Sequence, residues 1–331
     1  MDFQILISNL TNPTLLFFVL GIVATLLKSD LEIPQSSSKF ISLYLLFAIG
    51  FKGGQELSHS HFTSEITYSI ILGILLATLI PFYCFYILRL KMSISDSAAV
   101  AATYGSVSAV TFVSAAAFLE AQQITFGGHM VAVMALMEAP AIIVGVILIM
   151  IYDKETGSLN LFSSSGSSEK SNLKNTIQHS FTNGSVLLIL GSLVIGLIAD
   201  TKQAEGIKPF TTDIFKGFLA LFLLEMGMVT AKRFSAFMKY GWFLSLFAIL
   251  IPAINGSAVA YFSHLVTHDI GNRFIFSILA ASASYIAVPA AMRLAAPKAD
   301  PGLYIPMALG VTFPFNITIG MPLYYSIVLN N

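Results

Sequence analysis

Ser106-Val107-Ser108 and Ser282-Ala283-Ser284 place paired hydroxyls at the middle of two long apolar runs, Ser95–Phe118 and Phe274–Met292. Gly105 precedes the first pair and Thr111 follows it; Tyr285 and Pro289 follow the second. Small polar residues at mid-run interrupt a helix. In a bilayer each backbone N–H or C=O released there costs several kcal/mol unless a hydroxyl, a water or a ligand satisfies it. The N-terminus of a half-helix carries free N–H groups and partial positive charge, which suit a small anion. The C-terminus of a half-helix and unwound carbonyls suit a sodium ion. Gly105, Ser106, Ser108, Thr111, Ser282, Ala283, Ser284 and Tyr285 are the candidate anion-binding residues. Small residues also permit close helix packing. For either pair alone the two readings stand level; two pairs at matched positions favour a site.

Glu138, in Met137-Glu138-Ala139-Pro140, sits inside a strongly apolar run. An ionisable group at the centre of a membrane helix costs at least roughly 2.5–3.5 kcal/mol, so it faces a cavity and works there. We expect it to bind a coupling cation or to hold the first break in shape; the alternative is a carboxyl bonded to backbone for structure alone. Ser108, Thr312 and Asn316 are the further sodium candidates. Glu225, in Leu223-Leu224-Glu225-Met226-Gly227, is the other acid in an apolar run, and Lys216 lies nine residues before it. That spacing puts the two on different helix faces, so a pair within the helix is not expected. A scaffold salt bridge or interface role for Glu225 stands level with a part in transport. Arg293 either attracts an anion or extends to the interface, and the second reading is slightly favoured.

Other chemistries find no support. His59 and His61 share a loop, and His129, His179, His264 and His268 are scattered with no third ligand beside any pair. No nucleotide-binding, hydrolase or zinc-protease motif is present, so no catalytic residue is expected and a membrane enzyme is the weaker class. Cys84 is the single cysteine and lies in an apolar run. Net charge is zero, which argues against nucleic acid as a partner.

The elements that carry these residues are membrane spans. The chain is 56% hydrophobic and 10% charged, against roughly 25% charged for a soluble domain. The sequence predicts an all-α integral membrane fold of about ten spans. Residues 1–152 hold Pro13–Leu27, Phe40–Phe51, Ile66–Leu88, Ser95–Phe118 and Gly127–Tyr152. Residues 184–331 hold Gly184–Asp200, Thr211–Thr230, Gly241–Val266, Phe274–Met292 and Leu303–Val328. Residues 153–183, with the run Ser163–Ser168, read as a polar linker. No Lys or Arg precedes Lys28, so the first run reads as a short span rather than a cleaved signal peptide.

The halves match each other. Leu43-Tyr44-Leu45-Leu46 with Gly50 matches Leu221-Phe222-Leu223-Leu224 with Gly227; the two serine pairs match; Glu138 falls opposite Asn316. All three matches lie 176 to 178 residues apart. Five spans is an odd number, so the second half enters the membrane inverted, which gives the pseudo-two-fold axis that alternating access uses. Lys52, Lys202, Lys208 and Arg273 follow even-numbered spans and Lys216 lies within one; the remaining Lys and Arg follow odd-numbered spans. By the positive-inside rule the linker is cytoplasmic and both termini face outward.

The chain resembles the SbtA-type sodium-dependent bicarbonate transporters over almost its full length. The resemblance is carried by Ala280-Ala281-Ser282-Ala283-Ser284-Tyr285-Ile286-Ala287-Val288-Pro289-Ala290-Ala291-Met292-Arg293, by Leu303-Tyr304-Ile305-Pro306, and by Val311-Thr312-Phe313-Pro314-Phe315-Asn316. It implies inverted five-span repeats with a core and a gate domain, a homotrimer, and sodium-coupled uptake of inorganic carbon as bicarbonate held between the broken helices. It also implies a bacterial inner membrane and a PII-like regulatory protein on the cytoplasmic side. The first break differs from the family form, which has Gly-Ser where this chain has Ala109-Val110 and Asp where it has Glu138. The first change removes a hydroxyl, and the second moves a carboxylate by about one C–C bond.

The leading expectation is a sodium-coupled symporter of a small anion, bicarbonate first. A cation–proton antiporter or organic-anion carrier on a similar scaffold is the alternative, with Glu138 titrating during the cycle. A non-transporting scaffold or sensor acting through the linker is the third.

Overall fold

The computed structural model describes residues 11–58, 63–152, 184–237, 241–285, 288, 292 and 298–331. The linker, His59, His61, His179, Pro289 and Arg293 lie outside the described residues. Every regular element among the described residues is helical. In chain order they are α1 Pro13–Leu26, α2 Gln35–Ser58, α3 Ser64–Leu88, α4 Ile94–Gly105, α5 Ala109–Ala121, α6 His129–Leu136 and α7 Glu138–Tyr152. Then come α8 Gly184–Ile198, α9 Thr201–Lys208, α10 Phe215–Phe237, α11 Trp242–Phe262 and α12 Ile270–Ala281. The last is α13, Pro301–Leu329. Among the described residues six stretches are long and apolar enough to cross a membrane, and Pro13–Leu26, Leu187–Ile198 and Ile270–Ala281 are shorter apolar helices.

Helix starts follow local chemistry. Pro13 opens α1 and Asn12 Oδ1 accepts from Thr14 N at 2.9 Å. Ser93 caps α4 through Asp96 N, and Asp269 caps α12 through Asn272 N. Pro301 opens α13, with Asp300 accepting from Gly302 N. Each such cap satisfies an N–H that has no partner within the helix.

The helices fall into two groups. In the first, α1 packs along α10 and α2 along α8, with α2 also touching α10. These crossings are backbone-close. A Cβ on Gly21 would stand 2.0 Å from Leu224 O, and one on Gly227 2.0 Å from Phe18 O. A Cβ on Gly196 would stand 2.2 Å from Phe51 O, and one on Gly54 2.1 Å from Leu193 O. The second crossing repeats the first: Phe18 and Gly21 correspond to Leu193 and Gly196, 175 residues on, and Phe51 and Gly54 to Leu224 and Gly227, 173 residues on. By contact, then, the partner of Gly227 is Gly54, one turn beyond the Gly50 that the sequence match pairs with it.

In the second group α3 packs on α4 and α7, and α11 on α12 and α13. Two polar pins hold its ends. Asn272, third residue of α12, accepts from Gly127 N at 2.7 Å and donates to Glu65 at 3.1 Å. Asp96, third residue of α4, accepts from Asp300 N at 2.8 Å. Arg273, placed by the sequence in a loop, is buried in α12 and donates to Ala260 O and Val328 O. Its charge caps the C-terminal carbonyls of α11 and α13. Away from these contacts α3 and α11 expose apolar stripes such as Tyr68, Ile71, Leu75, Leu79 and Leu246, Leu250, Ile254.

Candidate functional site

The two breaks meet. Between α4 and α5, Ser106 takes an extended backbone (φ −93°, ψ 146°) and Ser108 caps α5, its Oγ accepting from Thr111 N at 3.3 Å. After α12, Ser282 is extended in the same way (φ −81°, ψ 165°). Ser284 N donates to Thr103 O at 2.8 Å. The symmetry-related bond would join Ser108 N to Leu279 O, each partner 176 residues away. There the Ser282 hydroxyl relays it: Ser108 N donates to Ser282 Oγ at 3.2 Å, and Ser282 Oγ donates to Leu279 O at 3.1 Å. One crossing is closed by backbone alone and the other by a side chain.

Gly105, Ser106, Ser108, Thr111, Ser282, Ala283 and Ser284 are thus one cluster, with all seven side chains or Cα positions buried. Gly105 is where α3 comes close; a Cβ there would stand 2.1 Å from the Pro81 ring. The Ser106 hydroxyl is buried and has no hydrogen-bond partner among the described residues. Such an atom costs about 1–3 kcal/mol of desolvation unless something reaches it. Ser108 lies beside the Tyr285 phenol, and that phenol donates to Met226 Sδ of α10 at 3.8 Å. A thioether is a weak acceptor, so Tyr285 ties Ser108 of the first break only loosely to α10.

The sodium candidates divide. Asn316 and Thr312 lie on α13, in stretches wound as π-helix. Asn316 Nδ2 donates to Ala281 O, the last carbonyl of α12, at 2.7 Å, and Oδ1 accepts from Tyr324 at 3.2 Å. Thr312 repairs a different fault. Pro252 inside α11 has no N–H, so Ala248 O loses its helical donor; the Thr312 hydroxyl supplies one at 2.8 Å and bonds with Tyr104 at 2.7 Å. Both side chains are committed to helix carbonyls. Leucine at position 316 would leave Ala281 O unmet. We expect Asn316→Leu to destabilise the fold by about 1–3 kcal/mol, seen as a lower thermal-unfolding midpoint in detergent.

Glu138 opens α7. Ala141 and Gly145, three and seven residues on, face Gly105 and Ala102 of α4, and Glu138 shares their stripe. The contacts run antiparallel, so Glu138 stands one turn beyond Ala141, level with the first break. Among the described residues no hydrogen-bond donor or opposite charge acts on its carboxyl. Lys216 pairs across groups with Glu120 of α5 at 3.2 Å rather than with Glu225. Beside that pair a cavity of about 100 Å³ runs between α2 and α5, lined by Ile49, Lys52, Ala116, Glu120 and Phe126 among others. No group of His, Cys, Asp and Glu among the described residues has metal-site geometry.

Thr103 O, Leu279 O, Tyr104 and Tyr324 were not singled out from sequence. Only Pro252 offered a signal, since a proline inside a helix always frees a carbonyl for some donor.

A sequence profile of the Na+-dependent bicarbonate transporter superfamily matches residues 13–329. The chain belongs to that superfamily. A search of curated proteins returns no match. With its apolar helices, family membership makes the chain an integral membrane transporter and not an enzyme. Bicarbonate and sodium are the substrates the family name carries.

Proposed function

We propose that the chain is a sodium-coupled symporter that takes up a small anion, bicarbonate first, by alternating access. The observation that carries this is the junction of the two breaks, where Ser106 Oγ is buried without a partner beside the N-terminus of α5. Bicarbonate is planar, singly charged and rich in acceptors. The Ser106 hydroxyl and the free N–H groups opening α5 are donors of the right kind. Sodium would lie between Glu138 and the carbonyls that end α4. The same place in the other half is filled by Asn316, whose amide donates to Ala281 O. A carboxylate cannot donate, so the corresponding carbonyl calls for a cation.

The repeated glycine crossings and the pseudo-symmetric junction support ten spans in inverted repeats, residues 1–152 and 184–331 around a linker at 153–183. The glycine-locked group α1, α2, α8 and α10 acts as the gate. The remainder is the core, which slides against it. On this topology the Lys52–Glu120 cavity opens outward, and the linker and the PII-like regulator's docking side are cytoplasmic. A homotrimer is the expected assembly.

Two serines test the reading against each other. Ser282 relays a backbone bond, so Ser282→Ala is expected to lower stability by about 1–3 kcal/mol. Ser106→Ala removes an unpartnered buried atom, so it should hold or raise stability and weaken sodium-driven bicarbonate uptake about tenfold. Uptake assays and thermal unfolding on both variants check this. Equal uptake by Ser106→Ala and wild type would take the first break out of the anion site.

A further inference from the structure

Glu225 of α10 is the acid that the sodium reading leaves unused. Its carboxylate lies beside the Ser38 hydroxyl of α2, so both are on the gate. Its Oε2 is buried and has no hydrogen-bond partner among the described residues. Tyr285, in the core, lies within range of its charge, and the Tyr285 hydroxyl reaches α10 at Met226, the next residue. Tyr285 in turn lies beside Ser108 at the head of α5. The gate therefore carries an acceptor one residue from the point where Tyr285 of the core meets it.

An anion site built of donors alone binds bicarbonate and nitrate alike. Both ions are planar, singly charged and close in size, and they differ at the rim in one O–H. Only a fixed acceptor reads that proton. We propose that Glu225 is a specificity-determining residue: its free oxygen accepts the O–H of a protonated planar oxyanion and so selects bicarbonate over nitrate. The proposal rests on the anion-symport reading above. Repulsion between carboxylate and anion is offset by the bound sodium and by the positive end of α5. Because Glu225 belongs to the gate and Ser108 to the core, the contact forms only when the two groups stand as they do here. A protonated oxyanion thereby bridges the parts that must slide.

The test uses the full chain in proteoliposomes, with labelled bicarbonate uptake driven by a sodium gradient and competed by nitrate at fixed external pH. For wild type, nitrate should compete about tenfold to a hundredfold less well than unlabelled bicarbonate, the span expected when a hydrogen bond to a charged group is lost. Glu225→Leu should weaken bicarbonate and bring nitrate level with it. Glu225→Gln, which keeps an acceptor oxygen, should retain part of the preference. Wild-type uptake that nitrate blocks as well as bicarbonate overturns the proposal, as does a Glu225→Leu protein that still prefers bicarbonate. Should neither variant be recovered folded, sodium-dependent thermal protection of wild type by each anion decides, with equal protection overturning it. Absence of any wild-type bicarbonate uptake overturns the symport reading itself, an outcome separate from these.

Discussion

Glu138→Gln protein is expected to need about tenfold to a hundredfold more sodium for half-maximal anion uptake, while folding as wild type does. The magnitude is that of a charged oxygen ligand exchanged for a neutral one. The expectation comes from placement. Ala141 and Gly145 fix the face of α7 that meets α4, and Glu138 extends that face to the level of Ser106-Val107-Ser108. Among the described residues no donor or positive group acts on its carboxyl, so Gln breaks no bond to them. Loss of sodium dependence should therefore come without loss of stability. Sodium titrations of uptake and a thermal-unfolding scan on the same preparation check both halves. Unchanged sodium affinity would remove Glu138 from the ion site; a large drop in stability would give it a structural role.

The second large effect concerns the gate. Gly227→Leu should prevent recovery of a monodisperse protein, and Gly227→Ala should lower its stability by about 1–3 kcal/mol, the cost of overpacking a close contact. A Cβ there would stand 2.0 Å from Phe18 O, a backbone atom that moves only if α1 moves. Gly54 should behave alike, since its Cβ would meet Leu193 O at 2.1 Å. Gly184 and Gly217 have nothing within 4 Å of such an atom, so alanine there is the control. Size-exclusion profiles and thermal unfolding of the four alanine variants separate close approach from a general intolerance of glycine replacement. Equal behaviour at all four positions would contradict the crossing.

Much of this was legible in the chain. The breaks announced themselves because two Ser-x-Ser pairs stand at matched places in apolar runs, where either alone could equally mean close packing; Ser106 and Ser282 do take the extended backbone that ends each first half-helix. The length of α2 was not legible. Gly53-Gly54-Gln55-Glu56 reads as a loop by hydropathy and by helix propensity, and the predicted span stopped at Phe51. Yet those glycines let α8 approach, and Gln55 Nε2 turns inward to Gly196 O and Ala199 O. Residues that weaken an isolated helix here make its closest contact. The contact between the breaks was likewise out of reach, since it joins residues 174 apart through one hydroxyl. Symmetry in sequence foretold that both breaks exist, not that one would close through backbone and the other through Ser282. Asn316 and Glu138 were paired by position alone. The structure adds what Asn316 does to Ala281 O, and the expected task of Glu138 follows from that.

The most direct measurement is uptake of labelled bicarbonate into proteoliposomes with and without an inward sodium gradient. The account predicts accumulation above equilibrium only when the gradient is present, abolished when sodium is equal on both sides. Uptake indifferent to sodium, or none by protein shown to be folded and inserted, would contradict it.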